Sequence, residues 1–188
     1  MANLIKKIQD KLFRAPGPDA HADKIKAILD LQSRFKIGTF IETGTYMGDT
    51  VEAVRGAFDK AISIELDTNL HQRAAKRFIG APNVILYQGD SATMLPEILK
   101  TLDRPALFWL DGHFSGGVTA RGPLETPIER ELDAIFAHSV KGHAILIDDA
   151  RLFDGTHDYP TIEAVKKKTA AAGFTCAKKG DLLMILPK

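Results

Sequence analysis

Five apolar runs of this chain end in a carboxylate. Phe40-Ile41-Glu42 leads into Thr43-Gly44-Thr45-Tyr46-Met47-Gly48-Asp49-Thr50, a glycine turn followed by residues able to open a helix. Ile62-Ser63-Ile64 ends in Glu65-Leu66, and Tyr87-Gln88-Gly89 ends in Asp90-Ser91. Leu107-Phe108-Trp109-Leu110 ends in Asp111-Gly112-His113, and Ile145-Leu146-Ile147 ends in Asp148-Asp149. In an open α/β sheet, ligands bind outside the carboxyl ends of the strands, where these acids would gather. Glu65 follows Gly44 by 21 positions. That is close to the roughly 20-residue spacing of a carboxylate that holds ribose hydroxyls. The first turn and Glu65 together suggest a ligand containing a nucleoside. A dinucleotide turn requires G-x-G-x-x-G so that backbone can approach a pyrophosphate. Here only Gly44 and Gly48 are present, and Tyr46 is bulky, which favours a ligand without phosphates.

The remaining residues suggest chemistry beside that ligand. Asp90 or Ser91 can cap the helix that follows, leaving the other free to meet an exocyclic amine such as that of adenine. Asp111, Asp148 and Asp149 would converge from neighbouring strands, and converging carboxylates repel unless a cation compensates them. Oxygen ligands suit Mg²⁺, Mn²⁺ or Ca²⁺. The competing reading has one aspartate as a cap and the others solvated at the rim. His113, two residues after Asp111, suits a general base because imidazole titrates near neutral pH. It opens the glycine-rich segment 112–124, long enough to read as a functional loop. Within that loop Arg121 could bind an anionic group or pair with Glu125. Arg151, His157 and Tyr159 form a second polar loop and are further candidates for substrate contact.

These residues need a scaffold, and the periodicity supplies one. Strand patterns fall near 39–43, 61–66, 83–89, 106–111 and 143–148, alternating with helix patterns near 49–58, 68–79, 91–102, 125–139 and 161–172. Repeated β-α units with strands apolar throughout predict a parallel sheet covered on both faces. Two more strand-like runs, Phe174–Ala177 and Leu182–Leu186, flank Lys178-Lys179-Gly180-Asp181 as a hairpin, so one strand is antiparallel. Upstream, Leu4, Ile5, Ile8, Leu12 and Phe13 alternate with basic residues as an amphipathic helix over 4–13. It could lie on a membrane surface, on the domain or on a second subunit. Ala15-Pro16-Gly17-Pro18 breaks it, and a second helix runs from about Asp19 to Phe35. The expected organisation is a helical extension over 1–37 and one α/β domain over 38–188.

Composition narrows the classes. A net charge of +1 makes no electrostatic case for nucleic acid. The single Cys176 excludes an internal disulfide and a thiolate zinc site, which suits the cytoplasm. No apolar run reaches the roughly 18 residues of a membrane span.

Residues 38–188 resemble the class I S-adenosylmethionine-dependent methyltransferases. The resemblance rests on Glu42-x-Gly44-x-x-x-Gly48-Asp49-Thr50, Ile64-Glu65, Gly89-Asp90-Ser91, Leu110-Asp111 and Ile147-Asp148-Asp149. The first motif and the paired aspartates are similar to the metal-dependent, catechol-type O-methyltransferases. Where that group carries a lysine after the first metal aspartate, this chain has Gly112-His113-Phe114-Ser115, and Asp149 stands at the place of its usual asparagine. In this respect it looks more like bacterial methyltransferases of natural-product or sugar pathways. The resemblance implies a Rossmann-like, doubly wound, mostly parallel seven-stranded sheet of order 3-2-1-4-5-7-6 with an antiparallel C-terminal hairpin. It implies that the loop from Glu42 through Gly44, Thr45, Tyr46, Gly48 and Thr50 holds the methionine part of S-adenosylmethionine. Glu65 would hold the ribose hydroxyls, and Asp90 or Ser91 would meet the adenine. Leu66 and Asp111 would be further cofactor contacts. Asp111, also catalytic, would join Asp148 and Asp149 on a divalent metal such as Mg²⁺. The expected reaction is methylation of a small-molecule or sugar hydroxyl, with His113 as base. An NAD-linked oxidoreductase and a non-catalytic cofactor-binding module are the alternatives, and a homodimer through the N-terminal helices is a possible assembly.

Overall fold

The computed structural model describes residues 18–112 and 126–188. Successive side chains of a strand leave it on opposite faces. All of Leu107-Phe108-Trp109-Leu110 is buried, so both faces of that strand must be covered. Leu107 and Trp109 join a cluster with Ile28, Leu31, Phe40, Val51 and Val54. Phe108 and Leu110 join another with Leu95, Leu132, Ile135 and Val165. The sheet thus separates two apolar cores, each closed by helices.

The strands are β1 (Thr39–Thr43), β2 (Lys60–Glu65), β3 (Val84–Gln88), β4 (Ala106–Leu110), β5 (Ala144–Ile147), β6 (Phe174–Lys179) and β7 (Leu182–Pro187). Their order is β3-β2-β1-β4-β5-β7-β6. The first five are parallel, and β7 runs antiparallel to both β5 and β6. This is the mostly parallel sheet with a C-terminal hairpin that the sequence predicts. Helix α1 (Pro18–Phe35) precedes the sheet, and α2 (Asp49–Val54) and α3 (Thr68–Arg77) follow β1 and β2. Helices α4 (Ser91–Leu99), α5 (Ile128–Ala137) and α6 (Ile162–Ala171) cover the other face. Strand order reverses between β1 and β4, which opens a crevice at their carboxyl ends.

Some boundaries differ from the sequence reading, for local reasons. The helix expected over 49–58 stops at Val54 and tightens into a 3-10 turn, Arg55–Ala57. The Asn83 amide donates to the carbonyls of Arg55 and Phe58 there, at 2.9 and 3.2 Å, and Phe58 turns inward against Phe40. The helix expected from 125 begins at Ile128, after Pro127. The hairpin strands extend further than their apolar runs, leaving Gly180-Asp181 as the turn. The expected boundary at residue 37 does not separate two packed units among the described residues. Ile28 and Leu31 of α1 lie in the same core as β1 and β4. The expected helix over 4–13 lies outside the described residues.

At the amino edge of the sheet a buried histidine takes the place of a backbone partner. His143 is 1% exposed and its Nδ1 accepts from the Ala106 amide at 3.0 Å. Its proton therefore sits on Nε2, 3.0 Å from His138 Nδ1. Burial, and then the neighbouring His138, push its pKa down to about 4. A group whose folded pKa is depressed adds stability above its unfolded pKa and loses it as pH falls toward the folded one. The drop from 6.5 to about 4 is worth at most ~3 kcal/mol. In His143→Asn, the amide oxygen can still accept from Ala106. We expect denaturant titrations to show the wild type's stability relative to this variant falling between pH 6.5 and 4. A constant difference across that range would remove His143 as the cause.

Candidate functional site

The sheet's hydrogen-bond ladder continues past the strand ends and brings the sequence-predicted acids together. Gly44 donates to the Ile64 carbonyl at 2.9 Å, and Gly89 to that of Glu65 at 2.9 Å. Asp111 donates to the Thr43 carbonyl at 3.1 Å, and Asp148 to that of Leu110 at 3.0 Å. The turns after β1, β2, β4 and β5 therefore lie side by side along one edge. Gly44, at φ 86°, is pressed against the turn after β4, and a Cβ there would stand 2.5 Å from the Asp111 carbonyl oxygen. No L side chain fits that approach.

The loop after β1 has an unusual backbone. Gly44, Tyr46 and Gly48 are all left-handed, at φ 86°, 48° and 79°. For a tyrosine this costs on the order of 1–3 kcal/mol and persists only where the surroundings enforce it. Glu65 does so: its Oε2 accepts the Tyr46 amide at 2.7 Å and its Oε1 the Asp67 amide at 2.8 Å. Each oxygen of an ionised carboxylate has two acceptor directions. Glu65 can therefore hold the loop and still accept from a ligand hydroxyl. The Tyr46 side chain is half exposed, and Thr50 sits in the first turn of α2. Leu66 is half-buried, its carbonyl accepting from Gln88.

Beneath the loop lies Glu42, 1% exposed. It accepts from the Ser63 hydroxyl at 2.5 Å, and Ser63 lies 2.6 Å from the Thr45 hydroxyl. Burial drives the Glu42 pKa well above the carboxylate range. Glu42 is thus a buried support of Thr45 rather than an acid on the surface of the cleft. Asp90 caps α4, accepting from the Ala92 amide at 2.9 Å. The Ser91 hydroxyl faces a residue that the sequence reading passed over, Glu131 of α5. Its position was legible: 128, 131, 132 and 135 form one helical stripe, and three of those positions are Ile128, Leu132 and Ile135. Glu131 is 1% exposed, and burial lifts its pKa to about 7 against the pull of the Ser91 and Thr43 hydroxyls. Glu131 Oε1 and Thr43 Oγ1 are both buried without a hydrogen-bond partner among the described residues.

The acids of β4 and β5 line a recess of about 210 Å³, open space included. Leu110, Asp111, Glu131, Ile147, Asp148 and Tyr159 contribute to its wall. Asp148 has a cation beside it, yet burial, then the charges of Asp111 and Asp149, still push its pKa up to about 7. Its Oδ2 is 2.5 Å from Lys24 Nζ of α1, and its Oδ1 accepts the Asp149 amide at 2.7 Å. Asp149 pairs with Arg151 at 2.7 Å, and Arg151 pairs in turn with Asp181 in the hairpin turn. Arg151 therefore ties β5 to the β6–β7 turn, while Tyr159 packs edge-on against Phe153 and reaches the recess. His157 is exposed. His113 and Arg121 lie outside the described residues. A bound divalent cation needs several converging oxygens. Here two of the three expected ligands are engaged by cations of the chain itself, and the described residues contain no group arranged to hold a metal ion. Among the described residues the donor set does not fit a divalent cation.

Neither a protein-family model nor a curated protein sequence matches the chain. Similarity to solved structures is extensive. TomG, an O-methyltransferase of tomaymycin synthesis from Streptomyces achromogenes solved with SAM, superposes with a TM-score of 0.67 at 17% identity. The match covers 95% of this chain and 86% of TomG. An O-methyltransferase from Bacillus cereus solved with SAH gives 0.64 at 15% identity, over 100% of this chain and 91% of that one. CalS10 from Micromonospora echinaspora, an amino pentose methyltransferase solved with SAM, gives 0.61 at 16% identity, over 96% and 97%. The chain has the class I methyltransferase fold.

Glu131 makes this edge sensitive to pH. A carboxyl whose folded pKa is raised contributes stability that is complete below its unfolded pKa and is lost as pH rises through the folded one. Here that window runs from 4.5 to about 7. We expect Glu131→Gln to gain on the wild type across it, by at most ~3 kcal/mol. Urea titrations at pH 5 and pH 8 giving the same difference would contradict this.

Proposed function

We propose that the protein transfers a methyl group from S-adenosylmethionine to a hydroxyl oxygen of a small molecule or sugar. The observation that carries this reading is the left-handed loop from Gly44 to Gly48, clamped by Glu65 at the switch point between β1 and β4. Glu65 retains acceptor directions for ribose hydroxyls, and Asp90 stands one strand further along for the base. The charge of this edge favours the same donor. Glu65, Asp90 and Asp111 disfavour a pyrophosphate and suit a ligand bearing a sulfonium and an ammonium group. Structural neighbours solved with SAM or SAH support it, and so does the O-methyltransferase or sugar-methyltransferase description they carry.

Bound S-adenosylmethionine supplies an electrophilic methyl whose carbon–sulfur bond breaks as the carbon–oxygen bond forms, leaving a neutral thioether. The chain's own task is alignment and proton removal. The loop and Glu65 fix the donor, and the recess beside Asp111 and Tyr159 receives the acceptor. His113, two residues past Asp111, takes the hydroxyl proton as the oxygen attacks, becoming imidazolium and then releasing the proton to water. Arg121 and Tyr159 contact the acceptor.

Calorimetry with S-adenosylhomocysteine and with NADH tests the cofactor. We expect saturable binding of the first only, weakened by Glu65→Ala about tenfold or more, equivalent to ~1.4 kcal/mol. Binding of NADH with equal affinity would overturn the reading. A panel of sugars and phenols incubated with methyl-labelled donor tests the transfer. With an accepted substrate, His113→Ala is expected to lower kcat by ~10²–10⁴ while leaving S-adenosylhomocysteine affinity unchanged. Equal loss of both would argue that His113 shapes the pocket and is not the base.

A further inference from the structure

Lys24 reaches the acid cluster from the segment expected to be an extension of the domain. Positions 24, 28 and 31 share one helix face. Ile28 and Leu31 are buried against the sheet, so that face carries Lys24 inward as well. Its side chain is 15% exposed and that of Asp148 4%. Beyond its 2.5 Å contact with Asp148, the ammonium is also attracted by Asp149 and Asp111, which are the other two members of the set. A lysine withdrawn from water needs such compensation, and so does a buried carboxylate. The two form a mutual solution: Lys24 is the cation of Asp148, as Arg151 is that of Asp149.

We propose that Lys24 is the resident cation of this cluster, a positioning residue that holds Asp148 at the wall of the recess and takes the place of a divalent metal ion. An ammonium in hydrogen-bond contact with Asp148 Oδ2 and a metal ion on the same oxygen would lie within a few ångströms of each other and repel. No divalent cation therefore binds while Lys24 is in place. The proton of the acceptor goes to His113 without assistance from a metal. Helix α1 reaches the edge of the site through Lys24. The place of Lys24 in catalysis rests on the methyl-transfer reading. Its exclusion of metal does not.

Mn²⁺ titration of the full chain, followed by electron paramagnetic resonance and calorimetry at neutral pH, tests the proposal without turnover. The wild type is expected to show no saturable site below ~1 mM. Lys24→Ala and the gentler Lys24→Gln are expected to gain one site, tighter than any wild-type binding by at least about tenfold. That site is expected to disappear again when Asp148→Asn is added. Lys24→Arg keeps the charge and is expected to behave as the wild type. A Lys24→Ala chain that melts cooperatively only after Mn²⁺ is added gives the same support through folding. Tight Mn²⁺ binding by the wild type that Asp148→Asn abolishes would overturn the proposal. So would Lys24→Ala and Lys24→Gln chains that neither bind Mn²⁺ nor are stabilised by it. Calorimetry with S-adenosylhomocysteine on the same samples reports the cofactor reading separately, so failure of one is not mistaken for failure of the other.

Discussion

Carboxylates crowd the carboxyl edge of this sheet because parallel strands all deliver their last residues there, and each must be neutralised where it stands. The chain uses several means. Glu65 accepts hydrogen bonds from two backbone amides. Glu42 and Glu131, buried beneath the cleft, are pushed by burial toward the protonated form. Asp90 spends its charge on a helix amino terminus, where the helix dipole is positive. Asp148 and Asp149 take Lys24 and Arg151. Each device also fixes an element: Glu65 the strained loop, Lys24 the first helix, and Arg151 the C-terminal hairpin. Electrostatic compensation and the assembly of the site are therefore the same set of contacts.

Much of this scaffold was legible in the chain. The β-α alternation gave the parallel sheet, because strands buried on both faces are apolar throughout and need no context to be recognised. Its acid termini marked the carboxyl edge of the sheet for the same reason. Gly44 and Gly48 read correctly as a turn, and the approach of Gly44 to the Asp111 carbonyl shows why a side chain is not tolerated there. What periodicity could not show was which acids face the cleft and which lie below it. Glu42 and Glu65 close similar runs, yet one is a buried support and the other a clamp on backbone amides.

The residues passed over, Lys24 and Glu131, share one cause. Both are charged residues on otherwise apolar helix faces, at positions 24-28-31 and 128-131-135. A stripe is read from its apolar members, so a charge within it is taken for the edge of the stripe. Tertiary packing gives each its meaning, because each needs a partner from a distant strand or helix. Arg151 shows the converse. It looked like a residue facing a ligand, but its partners, Asp149 and Asp181, are acids of the chain.

The ion pair between Lys24 and Asp148 joins residues 124 positions apart. On the ribosome helix α1 emerges well before β5, the strand that leads into Asp148. Through that interval the ligand loop and its clamp, separated by fewer than 20 positions, can form, while the acid cluster cannot. Contacts of such long separation bear the largest loop-closure cost and come late in folding. A nascent or truncated chain would carry the Gly44–Gly48 loop facing an incomplete edge. Closure by Lys24 thus couples the pairing of this edge to the arrival of β5, so that the first described helix and the fifth strand must meet before Asp148 has its cation.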